Sequence, residues 1–323
     1  VGETSKIEWT DATWNPWWGC TKVSPACTNC YAETLANRFY NGLWRGQRRR
    51  MQDWNVPAKV DRRGAREGRR LRLFVASMAD IFDDHPAVAE WRSEALRLLA
   101  KLRNVDVLLL TKRPQNILRM VPREWIDDAH CDFRSKPELW PAHVWVGTTV
   151  EDQQRADERI PHLIRVPARV RFLSVEPMLG PVDLGGYLGA CDCNVEAMDG
   201  AGMHAGTCPA TRPRVDWVIA GGESGPKARP SHPDWFRSVR DQCAAAEVPF
   251  LFKQWGEWVS DRDKPFRTDL SVAAWVAPDG RWGSIQPQPD GAAWGARIGK
   301  KAAGRMLDGV IHDGVPRGTS ETP

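Results

Sequence analysis

The sequence predicts an α/β chain folded as a partial or closed (β/α) barrel of the TIM type. Three observations predict it. Six short runs rich in Val, Leu, Ile and Phe recur along the chain, helical patterns lie between most of them, and every run ends in polar residues. Runs without strict alternation read as strands buried on both faces. Strand–helix alternation implies a parallel sheet with crossovers. In a barrel the polar endings converge on one mouth, at the C-terminal ends of the strands, where such folds place their chemistry. A doubly wound open sheet is the rival arrangement.

The elements follow in order. A first short strand is expected near Lys6–Thr13. The six runs are LRLFVASM (71–78), VDVLLLTKR (105–113), HVWVGTTVE (143–151), VRFLSVEPM (170–178), VDWVIAGGES (215–224) and VPFLFKQWG (248–256). Their polar endings are Ser77 and Asp80, Thr111 and Lys112, Thr148 and Thr149, Ser174 and Glu176, Glu223 and Ser224, and Lys253 and Gln254. AVAEWRSEALRLLAKL (87–102) and PDWFRSVRDQCAAAE (233–247) read as amphipathic helices. EDQQRADERIPHLIRV (151–166) starts as a helix and meets Pro161. The barrel is expected over 1–270, with a basic insertion at 42–70 and a Gly-rich, Cys- and His-bearing insertion at 185–213. A polar, Pro-rich connector occupies 119–142. The remainder, 271–323, reads as a C-terminal extension in which KKAAGRMLDG (300–309) forms a closing helix or strap and the last residues are disordered.

At 42% hydrophobic and 27% charged, the 323 residues can bury a sizeable core. No run of eighteen apolar residues exists, and VGETSKIEWT has no apolar leader, so a cytoplasmic protein without a membrane span is expected. In that compartment eight cysteines point to metal or chemistry more than to disulfides. The formal charge of +4 is unevenly spread. Residues 38–72 hold eleven Arg and one Lys against Asp53, Asp61 and Glu67, a local excess of +9. Such a block suits a polyanion, so nucleic acid is the expected partner of this segment; a solvated basic loop is the plain alternative.

Chemistry concentrates in WNPWWGCTKVSPACTNCYAE (14–33), where Cys20, Cys27 and Cys30 are spaced Cys-x6-Cys-x2-Cys. A zinc site takes four ligands, and here a fourth would have to come from Cys131 or Cys243. A [4Fe–4S] cluster usually takes four cysteines as well, but with three it leaves one iron open to substrate or cofactor. Trp14, Trp17, Trp18 and Tyr31 flank the thiols. For Trp17 and Trp18 a shielding or packing role is expected.

The loop resembles the NPYxGCxxxCxYCYA cluster loop of radical S-adenosylmethionine (SAM) enzymes of the spore photoproduct lyase-like group, with three more residues between its first two cysteines. The strand endings SMADIF, LLTKRP and SVEP are similar to those of the same group. Across about residues 5–310 the chain resembles a phage- and prophage-associated three-Cys-motif family, in SKIEWTDATWNPWWGC, GGESGP, PFLFKQWG and AAGRMLDG. The resemblance implies that Cys20, Cys27 and Cys30 bind three irons of a [4Fe–4S] cluster. It further implies that the fourth iron chelates SAM, and that an electron donor drives cleavage to a radical that abstracts hydrogen from substrate. It also implies a separate three-Cys-motif partner protein.

On that resemblance Tyr31 is the residue beside the adenine. Ser77 and Asp80 are assigned to the SAM amino group, Lys112 to its carboxylate or ribose, and Thr111, Thr148 and Ser174 to the same cofactor. Glu176, Lys253 and Glu223 are the candidate catalytic residues, facing substrate. Charges at the ends of apolar strands are rarely buried unpaired, so a structural Lys–Glu pair across the mouth is the alternative for Lys112, Glu176 and Lys253. GGES (221–224) lacks the context of a phosphate loop, and its glycines are expected to let the backbone approach a ligand. Cys243, on a helical pattern, reads as a buried small residue. Cys191, Cys193, His204 and Cys208 form a second candidate set, suited to a structural zinc in a stretch short of apolar residues.

The function expected is therefore a radical SAM-type enzyme that modifies or repairs nucleic acid. The alternatives are the same chemistry on a protein or small molecule, and a non-catalytic zinc protein that binds phage DNA.

Overall fold

The computed structural model describes residues 3–40, 42–126, 137–188, 214–260, 262–263, 273–284 and 289–316. The first strand, β1 (Ala12–Trp14), falls at the C-terminal side of the expected Lys6–Thr13 stretch. It is followed by a two-residue strand, β2 (Trp17–Trp18), and by the short helix α1 (Tyr31–Ala36). Then come β3 (Arg49–Arg50), which pairs antiparallel with β2, and helix α2 (Val56–Glu67). The stretch expected as a basic insertion at 42–70 thus carries the first crossover helix.

The remaining barrel strands are β4 (Leu71–Val75), β5 (Val105–Thr111), β6 (Val144–Thr149), β7 (Arg171–Val175), β8 (Trp217–Gly221) and β9 (Phe250–Gln254). All six lie inside the apolar runs. With β1 they form one seven-stranded sheet in the order β1-β4-β5-β6-β7-β8-β9, parallel throughout. Helix α3 (Ala89–Leu99) connects β4 to β5, and the short α4 (Ile117–Met120) follows β5. Helix α5 (Gln153–Leu163) connects β6 to β7, and α6 (Pro233–Ala245) connects β8 to β9. The Asp152 side chain caps α5 by accepting from the Arg155 amide at 2.9 Å. That helix continues through Pro161 to Leu163, because a proline this close to the end breaks little of the hydrogen-bond ladder.

The two faces of the sheet decide between the barrel and its rival. Val56 and Val60 of α2, Leu96 and Leu99 of α3, Ile160 and Leu163 of α5, and Phe236 and Val239 of α6 share one core with Leu73, Val107, Val146, Leu173 and Val218. The alternate residues Phe74, Leu108, Trp145, Phe172, Trp217, Ile219 and Leu251 form a second, separate core with Trp9. Among the described residues no helix contributes to it. A doubly wound sheet would carry helices on both faces, whereas here the second face closes on itself. Trp9, just before β1, stands 4.7 Å from Phe74 on the neighbouring strand and 6.3 Å from Trp217 on β8, ring centre to ring centre. Only a curled sheet brings those two positions to one side chain. The fold is a parallel half-barrel, plugged at the base by aromatic rings. Gly147 is part of that plug, since a Cβ there would lie 2.5 Å from the Phe172 ring.

Past the barrel, β10 (Trp258–Ser260), β11 (Ala273–Val276), β12 (Trp282–Gly283) and β13 (Ala293–Arg297) form an antiparallel sheet in the order β10-β13-β11-β12. This sheet starts before residue 271, the expected start of the extension. Helix α7 (Lys300–Ala303) opens the stretch 300–309 expected as a closing helix or strap, and the chain beyond that stretch runs back as a strap. The Phe252 amide donates to the His312 carbonyl at 3.0 Å and the Gly314 amide to the Phe250 carbonyl at 2.9 Å, so the strap covers the β9 edge. Among the described residues no helix is long and apolar enough to cross a membrane.

Candidate functional site

Along β6, β7 and β9 the inward side chains change from bulky at the base to small or polar at the C-terminal end. On β6 the series is Trp145, Gly147, Thr149. On β7 it is Phe172, Ser174, then Glu176, and on β9 it is Leu251 and Lys253. The rings fill the base and the small or polar residues leave space above, a cavity of about 360 Å³. Cys20, Cys27 and Cys30 line it together with Tyr31, Ser77, Asp80, Thr111, Lys112, Ser174, Glu176, Glu223 and Lys253. Of the residues expected at one mouth, Thr148 alone among those described does not line the cavity. Its hydroxyl donates to the Thr111 carbonyl at 2.9 Å, and Thr149 faces the cavity instead. Successive strand side chains point to opposite faces, and the sequence did not show which of the two threonines faces in.

The cysteine loop is held from both ends of the curled sheet. Gly19 forms a parallel bridge to Ala79, and a Cβ there would sit 2.7 Å from the Gln47 carbonyl oxygen. Only glycine, at φ +111°, lets the loop pass. Arg113 donates to the Thr21 carbonyl at 2.7 Å and lies 3.7 Å from the Cys20 sulfur. The Asn29 amide donates to Glu223 at 3.1 Å and to the Lys227 carbonyl at 2.8 Å, tying the loop to the end of β8. The Tyr31 hydroxyl donates to the Ser77 carbonyl at 2.7 Å. Ser77 is fixed in turn by Asn15, whose Nδ2 donates to its hydroxyl at 3.0 Å and whose Oδ1 accepts from the Met78 amide at 2.7 Å.

The acidic groups of the cavity are engaged by the protein itself. The Asp80 carboxylate accepts from the Thr111 hydroxyl at 2.6 Å, the Arg113 guanidinium at 2.8 Å, and the amides of Lys112 and Phe82 at 3.0 Å each. Glu223 takes Arg229 at 2.6 Å and Asn29. Glu176 takes both Lys253, at 2.8 Å, and the Gln254 amide, at 3.1 Å. The structural Lys–Glu pair is thus Lys253–Glu176, while Lys112 stands apart with no ion-pair partner among the described residues. Gly222 packs against the chain rather than clearing space for a ligand, since a Cβ there would be 1.9 Å from the Trp255 carbonyl oxygen. Trp17 is fully buried in the outer core and Trp18 packs on Ala32, Ala36, Leu43 and Met78, away from the cavity.

Cys20, Cys27, Cys30 and Cys243 are free thiols. Burial, and the Asp80 carboxylate nearby, push the Cys20 thiol up to about 12 against the pull of Arg113. Burial alone pushes Cys243, on the inward face of α6, up to about 12. Among the described residues no three His, Cys, Asp or Glu groups are placed to hold a single metal ion. A cluster makes a different demand, because each thiolate binds a different iron and the three stand farther apart than ligands of one ion. Three free thiols around one cavity, with no histidine among them, match that donor set. Cys191, Cys193, His204, Cys208 and Cys131 lie outside the described residues, as does the end of the tail, 317–323.

Most of the Arg-rich stretch 38–72 is engaged internally. Arg48 pairs with Asp83, Arg50 with Glu94, Arg63 with Glu67, Arg69 and Arg72 with Asp11, Arg70 with Asp106 and Lys59 with Glu3 and Asp53. Arg49 stacks over the Tyr40 ring at 4.2 Å. Arg38, Arg45, Arg62 and Arg66 are exposed, with no ion-pair partner among the described residues. Sequence pattern did not single out Arg113, Asn29 or Lys300 as site residues. Arg113 and Asn29 sit inside motifs already of interest, but Lys300, which lines the cavity from α7, carries no local signal.

Fold and site define a parallel (β/α) half-barrel protein with a thiol-lined cavity at the strand ends. The chain belongs to the family described as protein of unknown function, DUF5131, whose model matches residues 4–316. No curated protein matches it. Among solved structures it is similar to a cysteine-to-alanine mutant of spore photoproduct lyase with dinucleoside spore photoproduct. The identity is 10% and the TM-score 0.38, over 87% of this chain and 66% of that one.

Proposed function

We propose that the chain is a radical SAM-type enzyme that acts on nucleic acid, with a [4Fe–4S] cluster on Cys20, Cys27 and Cys30 and SAM beside it in the cavity. One observation carries this reading: three free thiols, spaced Cys-x6-Cys-x2-Cys, line the cavity at the C-terminal ends of a parallel half-barrel. When bound, the cluster supplies the electron for reductive cleavage of SAM, and with it hydrogen-atom abstraction.

The chain's own residues do the rest. Arg113 sets the position of Cys20 and neutralises Asp80 behind it. Asn29 and Glu223 hold the loop between Cys27 and Cys30 against the far wall. Tyr31 presents its ring to the cavity while its hydroxyl stays on Ser77. Trp9, Phe74 and the rings below them close the base against water, which protects a reactive species from quenching. The Lys253–Glu176 pair and Thr149 give the opposite wall its polar character. Lining bases outnumber lining acids, five (Lys22, Lys112, Arg113, Lys253, Lys300) to three (Asp80, Glu176, Glu223), which supports an anionic ligand.

The test is anaerobic reconstitution, with iron and sulfide content, the reduced electron paramagnetic resonance spectrum with and without SAM, and 5′-deoxyadenosine formation on reduction. About four irons per chain, a signal perturbed by SAM, and 5′-deoxyadenosine lost in Cys27→Ala are expected. A colourless protein that takes up zinc and leaves SAM intact would overturn the proposal.

A further inference from the structure

The Arg-rich segment is the expected contact for a polyanion, yet eight of its twelve cations are occupied within the fold. The unspent positive charge of the cavity lies elsewhere. Asp80 is matched by Arg113, Glu176 by Lys253 and Glu223 by Arg229, while Lys22 is matched by Glu33 at 2.7 Å. The lining cations left over are Lys112 and Lys300, neither with an ion-pair partner among the described residues. They come from opposite sides of the mouth. Lys112 directly follows β5, next to the cysteine wall. Lys300 opens α7, which is anchored beside β9 through the hydrogen bond from the Trp255 amide to the Gly304 carbonyl.

A second feature leads out of the same mouth. Tyr31, Leu35 and Phe39, at successive spacings of four, are 56%, 37% and 65% exposed. That spacing places them on one face of α1 and the turn after it. Phe39 is braced by the Trp18 ring at 6.4 Å, and the exposed Arg38 is its sequence neighbour. Exposed rings beside unpaired cations suit a strand of nucleotides, whose bases stack and whose phosphates need neutralising.

Resting on the function proposed above, we infer that Lys300 binds a backbone phosphate of a single-stranded or locally unstacked nucleic acid. Flanking bases lie along the Tyr31–Leu35–Phe39 face. Single-strandedness follows from the depth of the site: the reacting unit must enter a cavity walled by strand ends, which a base stacked in a duplex cannot do. The phosphate contact at the mouth is thereby supplied by the C-terminal segment, with Arg38 the cation of the Arg-rich stretch that lies beside the path of the bases.

The test is fluorescence anisotropy of the reconstituted full chain with a short fluorescein-labelled single-stranded oligonucleotide across a salt series, alongside SAM cleavage measured separately. In Lys300→Ala the slope of log affinity against log salt should shrink by about 0.7, the loss of one single-strand phosphate contact. Lys300→Arg should restore it. Phe39→Ala should weaken binding roughly tenfold, and a duplex of the same sequence should bind more weakly than the single strand. An unchanged slope in Lys300→Ala, or a loss found instead in the Arg62→Ala/Arg66→Ala double variant, overturns the inference. So does a wild-type protein that cleaves SAM but does not bind the oligonucleotide, an outcome that leaves the enzyme reading standing. Lys300-dependent binding without SAM cleavage has the opposite meaning and sinks the enzyme reading alone.

Discussion

Arg48→Ala should destabilise the fold by about 3 kcal/mol, the low end of the range for removing one partner of a buried pair. Arg48 and Asp83 side chains are 0% and 1% exposed and meet at 2.6 Å. Nε of Arg48 donates to the same carboxylate at 2.7 Å, and its other nitrogens reach the Thr21 hydroxyl at 2.7 Å and the Gln47 carbonyl at 2.8 Å. Without Arg48 the nearest cation to the Asp83 carboxylate is Arg113, at 3.7 Å and already engaged with Asp80 at 2.8 Å, while Arg92 donates to the Asp83 backbone carbonyl at 2.7 Å. The remaining attraction from Arg113 is why the lower figure is expected. Equilibrium urea unfolding, followed by Trp fluorescence on metal-free protein, reads the change directly. Arg62→Ala, at an exposed position of the same basic stretch, should stay within about 0.5 kcal/mol of wild type. A loss below about 1 kcal/mol in Arg48→Ala, the value of a solvent-exposed pair, would refute the burial of this pair and the view that the Arg-rich segment is chiefly structural.

Three further outcomes follow from the same geometry. Burial raises the folded Cys243 thiol to about 12, above the ordinary thiol range of its unfolded form; the stability this contributes is intact below that range and is lost as pH rises toward the folded value. Native Cys243 should accordingly resist iodoacetamide at pH 8, with labelling read by peptide mass spectrometry, and react once urea unfolds the chain. Gly314→Val should lift the strap from β9, because a Cβ there lies 2.7 Å from the Phe250 amide nitrogen and the Trp217 indole donates to the Gly314 carbonyl at 2.8 Å; a loss of roughly 1–3 kcal/mol is expected by thermal or urea unfolding. Asn29→Asp sets a second carboxylate against Glu223 in place of an amide 3.1 Å away, so iron retained per chain after reconstitution should fall while the melting temperature of the metal-free protein changes little.

Much of the fold was legible in the chain. LRLFV, VDVLLLT, VWVGTT, RFLSV, WVIAG and FLFKQ are strands because β-branched and large apolar residues without alternation require cover on both sides, and parallel crossovers supply it. Pro161, met inside the helical pattern, does not end the helix, which continues two residues beyond it. The first strand was displaced because IEWTDATW offers too few apolar residues to fix its bounds. In the site, the loop of Cys20, Cys27 and Cys30 was visible from spacing alone, and most of the polar strand ends do reach one cavity. Thr148 does not, since a two-residue alternation read from sequence leaves the inward phase open.

Sequence by itself determined the strand–helix rhythm, the thiol spacing and the sign of the local charge, all properties of neighbours within a turn or a strand. Tertiary structure decided which charges are spent. Asn29 meets Glu223 across 194 residues, Lys253 meets Glu176 across 77 and Arg113 reaches Cys20 across 93. Such pairings arise when a curled sheet brings its strand ends together, and no local pattern encodes them. The same closure left Lys112 and Lys300 facing one cavity, and paired most of a conspicuous run of arginines within the chain, Arg48 with its side chain fully buried.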